Sequence, residues 1–385
     1  VIRDCEANWI RQNQNEIWTK TNKFLFLSGF FIFKLTGKFT DSVGSIVGYF
    51  PINYKKHRWS KSYEKNFKMF PVEAGKLPKL VKPSELIGYI TEEASRETLI
   101  PKGIPVIASA SDKACEALGS GIIEPNIAAL SYGTTATIQT VHKKYIEVIK
   151  FIPPYPSAIP GYYNTEVMIQ RGYWMIRWFR NEFGFKEVEE AKKLNIEPEK
   201  LYDKMLNNVP PGSMGLTLQP YWSPGVKIPG REAKGSMIGF GDVHTRAHVY
   251  RAIIEGIAYA LKEGLIRTQK HSSHIINKVI VSGGGAQSPG ILQITADIFD
   301  MQVDQPGVTE TSALGAAINT AVGLGWYPDF KSAIQHMTSV QKTYKPDGKN
   351  KLIYNRLFNE VYLKMYKRLK PLYNSIKEIT NYPEE

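Results

Sequence analysis

The sequence predicts an α/β fold built from at least two domains. The chain has 385 residues, which is more than a single hydrophobic core usually serves. Between residues 106 and 135, a short apolar strand, an acid and a helix are followed by a second strand that ends in Gly-Thr-Thr. Much further along, residues 278–281 form another apolar run that leads into three glycines and a helical pattern. Such successions of strand, turn and helix are typical of α/β proteins.

The composition is that of a soluble globular protein, with 43% hydrophobic and 22% charged residues. The longest apolar run, residues 24–33, is interrupted by Ser28-Gly29 and is too short to span a bilayer. We therefore interpret it as a core helix and expect no membrane partner. Cys5 and Cys115 give neither a disulfide framework nor a metal-ligand spacing, a usage typical of proteins of the reducing cytoplasm.

The charge balance is basic, with 49 Lys and Arg residues against 36 Asp and Glu residues and a net charge of +13. Such an excess can attract nucleic acid or a phosphorylated small molecule. The basic residues are scattered, however, and no recognition helix or RNA-binding signature accompanies them. We interpret them as a solvated surface and expect no nucleic-acid partner, while a basic nucleic-acid-binding protein is kept as an alternative.

The first hundred residues read as mainly helical. The patterns predict helices at 2–13, 17–35 and 58–70, with Thr36-Gly37 ending the second. Residues 71–83 are punctuated by Gly and Pro and predict a loop. A small strand at 85–90 and a helix at 92–98 are expected to follow.

Asp112 stands between a predicted strand at 106–108 and a predicted helix that ends near Gly119. The residues before it, 108–111, are all alanine or serine, and they leave room for a small molecule. A carboxylate in such a position can accept the proton of a substrate hydroxyl. It can also serve only as the N-cap of the helix, and both interpretations stay open at this point.

A second strand, at 127–131, leads into Gly133, Thr134 and Thr135 and returns over residues 136–141. The exposed amides and hydroxyls of such a hairpin can hold phosphate oxygens.

The middle of the chain predicts a strand at 162–169, a helix at 172–183 and a long amphipathic helix capped by Thr245. Trp174 and Trp178 are four residues apart, a spacing that favours core packing over a sugar-stacking platform. Two histidine pairs have the helical spacings of metal ligands but lack an accompanying glutamate or cysteine, so we expect exposed or capping histidines; they are His244 with His248 and His271 with His274.

The glycine run comes directly after the predicted strand at 278–281. It is followed by a helix at 289–299, a strand at 301–303 and a further helix from residue 310, and residues 344–373 predict a basic helical tail. A glycine run alone is weak evidence, because any tight strand-to-helix turn favours glycine.

Taken together, these motifs resemble the FGGY carbohydrate kinases, which belong to the actin-like ATPase superfamily and phosphorylate sugars or polyols from ATP. The resemblance rests on the Asp112 stretch, Gly133-Thr134-Thr135 and the run from Val281 to Pro289. Trp9-Ile10-Arg11-Gln12-Asn13 and Lys34-Leu35-Thr36-Gly37 are similar to segments of the family's first lobe. The resemblance implies a two-lobed actin-like (ribonuclease H-like) α/β fold whose first lobe is incomplete. It places the remainder of that lobe at 1–124 and the nucleotide-side lobe at 125–385.

The resemblance also implies the site residues and cofactors. Asp112 corresponds to the family's general base and is expected to contact the sugar together with Lys113. ATP is the expected phosphoryl donor, with Mg²⁺ as its companion ion and no metal ligand assigned in this chain. The residues expected to bind ATP are Gly133, Thr134, Thr135, Gly172, Gly283, Gly284, Gly285 and Ser288.

Two residues depart from the family pattern. Gly29 stands where many members have an acid, and Lys113 stands where a glutamine or a small residue is common. A cation beside Asp112 is expected to favour the ionised carboxylate and to attract an acidic sugar.

The family's opening Asp-x-Gly-Thr hairpin is not found before Trp9. We therefore expect the chain to be a fragment that binds nucleotide weakly and does not transfer phosphate, unless another acid such as Asp41 replaces the missing aspartate. A non-catalytic ATP- or sugar-binding regulator on the same scaffold is the main alternative. The identity of the sugar is not predicted, and a homodimer is left open.

Overall fold

The computed structural model describes residues 5–225 and 227–382. The elements of the first part are α1 (Glu6–Asn13), α2 (Asn15–Lys20), α3 (Leu27–Thr36), β1 (Thr40–Ser42), β2 (Ile52–Asn53), β3 (Arg58–Trp59), α4 (Lys65–Met69), β4 (Lys79–Val81), β5 (Leu86–Tyr89), α5 (Glu92–Thr98), β6 (Pro105–Ile107) and α6 (Asp112–Gly119). The elements of the second part are β7 (Ile127–Tyr132), β8 (Ala136–His142), β9 (Tyr155–Pro156), β10 (Tyr163–Ile169), α7 (Trp174–Phe183), α8 (Phe185–Leu194), α9 (Glu199–Asn207), β11 (Thr217–Gln219), β12 (Ser236–Ile238), α10 (Arg246–Ser272), β13 (Lys278–Ser282), α11 (Pro289–Phe299), β14 (Gln302–Pro306), α12 (Thr311–Gly323), α13 (Phe330–Met337), β15 (Val340–Tyr344), α14 (Asn350–Arg356) and α15 (Leu363–Thr380).

A seven-stranded mixed sheet organises the second part, in the order β15-β14-β13-β7-β8-β10-β9. Strand β13 runs parallel to both β7 and β14, whereas β7, β8 and β10 form an antiparallel meander. Apolar side chains cover both faces of this sheet. Leu130 and Val281 point into the core on the α10 side, while Ala129 and Ile280 join the core on the α6 and α12 side.

The first part contains smaller sheets. Strands β1 and β4 pair in parallel, and the pairs β2–β3 and β5–β6 are antiparallel, each as a two-stranded sheet. A separate apolar cluster that includes Trp18, Phe50 and Val72 holds the helices of this part against the loops.

Several predicted elements are confirmed almost to the residue, namely α5, α6, the hairpin strands β7 and β8, and α11. Three predictions for the first hundred residues are wrong. The predicted helix at 17–35 is two helices, because Lys76 Nζ donates to the carbonyl oxygens of Trp18 and Thr21 and so occupies the end of α2.

The predicted helix at 58–70 begins instead as a strand. Arg58 and Trp59 pair with β2, and the guanidinium of Arg58 bonds the carboxylate of Glu64, so only residues 65–69 are left to form a helix. The predicted loop at 71–83 contains β4, whose partner β1 lies almost forty residues upstream. The β1–β4 contact is remote in sequence, and a local pattern does not carry it.

Helices α6 and α12 cross with their backbones in close contact. A Cβ atom added at Gly119 would lie 1.9 Å from the carbonyl oxygen of Thr311, and one added at Gly315 would lie 1.9 Å from that of Cys115. Both positions therefore require glycine, and the crossing fixes the helix that begins at Asp112.

Asp41 is fully buried beneath the start of α3. Its carboxylate accepts hydrogen bonds from Ser28 Oγ at 2.8 Å and from the Ser42 amide at 2.7 Å. Burial raises the pKa of Asp41 to about 6, although these hydrogen bonds oppose the shift. A buried side chain that is already bonded in this way is not available to replace a missing magnesium ligand.

Because the pKa of Asp41 is raised on folding, the folded protein holds its proton more tightly than the unfolded chain. The free energy of unfolding should therefore fall by up to about 3 kcal/mol from this group as the pH rises from about 4 to 6. Asp41→Asn is expected to remove that decline, as measured by denaturant unfolding across this range. Glu64→Gln is a control of opposite sign measured at lower pH, because Arg58 lowers the pKa of Glu64 to about 2 and its contribution to stability is lost as the pH falls from about 4.5 toward 2. An unchanged pH dependence in Asp41→Asn would contradict the assignment.

Among the described residues, no helix is both long enough and apolar enough to cross a membrane. Cys5 and Cys115 are buried free thiols.

Candidate active site

The Gly-Thr-Thr hairpin and the glycine run lie side by side at one end of the main sheet. Ser131 of β7 and Ser282 of β13 are register partners on adjacent parallel strands, and each turn begins just after its serine. The carboxyl ends of parallel strands are the usual place for a ligand in an α/β sheet.

A cavity of about 790 Å³ opens at this end of the sheet. It is lined by both turns, by one side of α7 and α9, and by the start of α11. Its lining residues include Tyr132, Gly133, Thr134, Tyr173, Trp174, Ile176, Arg177, Arg180, Glu197, Glu199, Lys200, Asp203, Tyr250, Gly284, Gly285, Gln287, Ser288 and Ile291. The size and the mixed lining suit a ligand with both an aromatic and a polar part.

The three glycines of the turn have different surroundings. A Cβ atom at Gly283, whose φ is +86°, would lie 2.9 Å from the carbonyl carbon of Tyr132, and one at Gly285 would lie 2.4 Å from the ring of Tyr173. A Cβ atom at Gly284 would meet nothing within 4 Å. Gly283 and Gly285 are therefore required by packing, whereas Gly284 faces the open cavity.

Of the hairpin residues predicted to bind ATP, some line the cavity and one is bonded to the protein instead. Gly133 and Thr134 line the cavity, while Thr135 Oγ1 donates to the carbonyl oxygen of Gln170 at 3.1 Å. Gly172 does not line the cavity. Its missing side chain lets the segment lie against Ala136, where a Cβ atom would come within 2.3 Å of the alanine Cβ.

Ser288 is the N-cap of α11, because its Oγ accepts a hydrogen bond from the Ile291 amide at 3.2 Å. The same hydroxyl donates to the carboxylate of Asp203, which enters the cavity from α9. Burial raises the pKa of Asp203, and the hydrogen bond from Ser288 partly opposes this. Ser288 therefore both caps α11 and lines the cavity.

Asp112 is the first residue of α6, and its side chain is exposed. The N-cap is Ser111, whose Oγ accepts a hydrogen bond from the Ala114 amide. The interpretation of Asp112 as the N-cap is therefore wrong. Among the described residues, its carboxylate accepts one hydrogen bond, from the Lys113 amide to Oδ1 at 2.7 Å, which leaves the other oxygen available for chemistry.

The sequence suggested a free cation beside Asp112, but the ammonium of Lys113 is paired with another carboxylate. Its ammonium forms an ion pair with Glu116 at 2.5 Å and donates to Ser131 Oγ at 2.9 Å. These contacts compensate the charge of a buried carboxylate. The part of Lys113 in sugar binding stays a prediction.

Several cavity residues were missed at the level of sequence. Trp174, Arg177 and Arg180 follow one another at intervals of three along α7, which places them on one face of that helix. This spacing was a usable signal. Trp174 and Trp178 are both partly buried against the main core, as predicted. Trp174 also lines the cavity, with the guanidinium carbon of Arg171 5.0 Å from its ring centroid, and Trp178 packs against Trp222.

The histidine pairs do not form a metal site. His248 completes a capping box with Thr245, and His271 bonds the carbonyl oxygen of Arg267. Within residues 5–225 and 227–382, no three His, Cys, Asp or Glu side chains come together in a way that could hold a metal ion.

Two profiles of the FGGY family of carbohydrate kinases match the chain. The N-terminal domain of the family matches residues 5–119, and the C-terminal domain matches residues 128–324.

Proteins similar in sequence or in structure are named as sugar kinases. The Escherichia coli (strain K12) protein described as the uncharacterized sugar kinase YgcE is 33% identical over 86% of this chain and 67% of that protein. A xylulose kinase of Staphylococcus epidermidis is 29% identical over 97% of this chain and 72% of its own length. The chain also resembles the crystal structure of gluconate kinase from Lactobacillus acidophilus. The superposition covers 96% of this chain and 72% of the gluconate kinase chain, with a TM-score of 0.82 and 22% sequence identity.

Proposed function

Since the chain belongs to the FGGY family of carbohydrate kinases, we propose that it transfers the terminal phosphoryl group of ATP to a hydroxyl group of a sugar, polyol or sugar acid. Its fold is the two-lobed actin-like α/β fold of the similar sugar kinases. We assign the sugar to the lobe at 1–124 and the nucleotide to the lobe at 125–385.

Asp112 is the proposed general base. In the reaction, the acceptor oxygen bonds the phosphorus, the bond to the bridging oxygen breaks to release ADP, and the hydroxyl proton passes to the carboxylate. The observation that carries this proposal is that Ser111 caps α6, while the exposed carboxylate of Asp112 accepts, among the described residues, one local hydrogen bond from the Lys113 amide.

The cavity beside Gly284 is the proposed nucleotide site. Gly284 leaves open space where a side chain would stand, and the rings of Tyr173 and Trp174 offer an aromatic surface for the adenine ring of the nucleotide. The amides and hydroxyls of Gly133 and Thr134 suit the phosphates. We expect ATP to bind as its magnesium complex. The described residues provide no cluster of three metal-binding side chains, so no protein ligand of the ion is assigned.

The direct test is steady-state ATP consumption by the chain in the presence of xylulose, gluconate or glycerol, with ADP binding measured by calorimetry in parallel. An acceptor that raises ATP consumption above the sugar-free rate would support the proposed function, and it would overturn the expectation that a chain without a recognisable Asp-x-Gly-Thr hairpin does not transfer phosphate. Binding of ADP without stimulation by any acceptor would instead favour a non-catalytic regulator, and absence of both would contradict the proposed function.

The second prediction concerns Gly284→Val. A Cβ atom at this position would meet nothing within 4 Å, so we expect the fold to persist while the side chain occupies the cavity and ADP affinity falls about tenfold or more. Calorimetry and thermal unfolding measure the two effects. Gly285→Val is the contrasting variant, because its side chain would collide with Tyr173 and should lower stability as well. Unaltered ADP affinity in Gly284→Val would remove this turn from the site.

A further inference from the structure

The ion pair between Lys113 and Glu116 lies immediately beside the proposed base. Lys113 follows Asp112 in α6, and Glu116 lies one helical turn further along. Their side chains are 30% and 7% exposed, and Lys113 Nζ lies 2.5 Å from Glu116 Oε2. Neither residue lines the cavity, so a direct contact with nucleotide does not explain the pair.

Each member of the pair also bonds one serine of the main sheet. Lys113 Nζ donates to Ser131 Oγ at 2.9 Å, and Ser282 Oγ donates to Glu116 Oε1 at 2.7 Å. Ser131 and Ser282 face each other in register on β7 and β13. The four side chains therefore form a continuous set of hydrogen bonds between α6 and two neighbouring strands.

Each of the two serines lies next to a turn that lines the cavity. Ser131 comes just before Tyr132, Gly133 and Thr134, which line the cavity. Ser282 comes just before the glycine turn, whose Gly284 and Gly285 also line it. A shift of α6 would therefore be transmitted through two short contacts to both turns.

We propose that Lys113 and Glu116 are positioning residues that hold the helix of Asp112 in register with the two turns of the nucleotide site, so that the base and the nucleotide are placed together. This inference rests on the proposed function. A partly buried ion pair whose members also bond neighbouring side chains adds little net stability, but it disfavours any arrangement that would leave the buried charge unpaired. The pair is thus suited to fixing geometry rather than to stabilising the fold.

The test compares Lys113→Met and Glu116→Gln with Lys278→Met. Methionine keeps most of the length of lysine without the ammonium, and glutamine can still accept the bond from Ser282 but lacks the charge. Lys278 is a matched control, because its Nζ lies 2.5 Å from Asp304 and the two side chains are 32% and 2% exposed. That pair lies at the start of β13, at the end opposite Ser282.

Two measurements are made, alongside thermal unfolding. Hydrogen exchange of the amides at 132–135 and 283–287 is followed without nucleotide, and ADP affinity is measured by calorimetry. In Lys113→Met and Glu116→Gln we expect faster exchange at both turns and an ADP affinity lowered about tenfold. The double variant should lose little more than either single variant, because both act through one set of contacts.

Lys278→Met should lower thermal stability to a similar degree without altering either turn. Wild-type exchange at the turns in both α6 variants, or an equal effect of Lys278→Met, would overturn the positioning role. The exchange measurement decides this without any ligand. Failure of the unsubstituted chain to bind ADP would therefore count against the nucleotide site of the proposed function, and not against the role of the pair in holding the turns.

Discussion

Replacing Asp112 by asparagine is expected to lower sugar-dependent ATP turnover by about a hundredfold or more, with little change in ADP affinity. The amide can still accept the local bond from the Lys113 amide through its oxygen, so α6 should keep its geometry. It cannot accept the proton of the acceptor hydroxyl. The measurements are initial rates at saturating ATP and a calorimetric ADP titration.

Ser111→Ala is the control for this variant. It removes the side-chain cap of α6 and should cost about 1 kcal/mol of stability, yet it leaves the carboxylate of Asp112 in place. A much smaller loss of turnover in Ser111→Ala than in Asp112→Asn would separate proton transfer from capping. Turnover near the wild-type rate in Asp112→Asn would contradict its role as the base.

Replacing Gly315 by alanine is expected to lower the free energy of unfolding by about 3 kcal/mol or more. The new Cβ atom would lie 1.9 Å from the carbonyl oxygen of Cys115, and a helix backbone cannot yield as a flexible side chain can. The gain of about 1 kcal/mol that alanine gives over glycine in a helix offsets only part of this cost. Because Cys115 belongs to the helix of Asp112, the strain should also displace the proposed base.

Gly348→Ala is the matched control for the crossing, because a Cβ atom there would meet nothing within 4 Å. Denaturant unfolding of the two variants should differ by more than about 2 kcal/mol. Equal stability would mean that α6 and α12 can separate without cost, and the close crossing would then not fix the position of Asp112.

The lobe-level fold could be read from the sequence because its strongest signals are local. The strand at 278–282, the glycine turn and α11 follow one another within about twenty residues, so periodicity and turn chemistry were enough to place them. The first hundred residues were harder. Arg58 and Trp59 form a strand because they pair with β2 and because Arg58 bonds Glu64, and the helical pattern of the segment does not distinguish such a short strand pair from a helix.

The candidate site divides in the same way. Gly284, Thr134 and Ser288 belong to turns with a recognisable sequence, and all three line the cavity. Asp203 was not, because it reaches the cavity from α9, a helix 85 residues before the serine that it bonds. Gly172 and Gly283 illustrate the converse, since a glycine in a motif can be required by packing rather than by a ligand.

The sequence by itself determined the α/β succession, the two glycine-containing turns and the acid at the start of α6. Only the tertiary structure decided that Ser111 rather than Asp112 caps that helix, and that Lys113 is bonded to Glu116 and Ser131. The physical reason is range. Helix periods, caps and turns depend on residues a few positions apart, whereas the contact of Glu116 with Ser282 joins side chains 166 residues apart, and only the packed sheet brings them together.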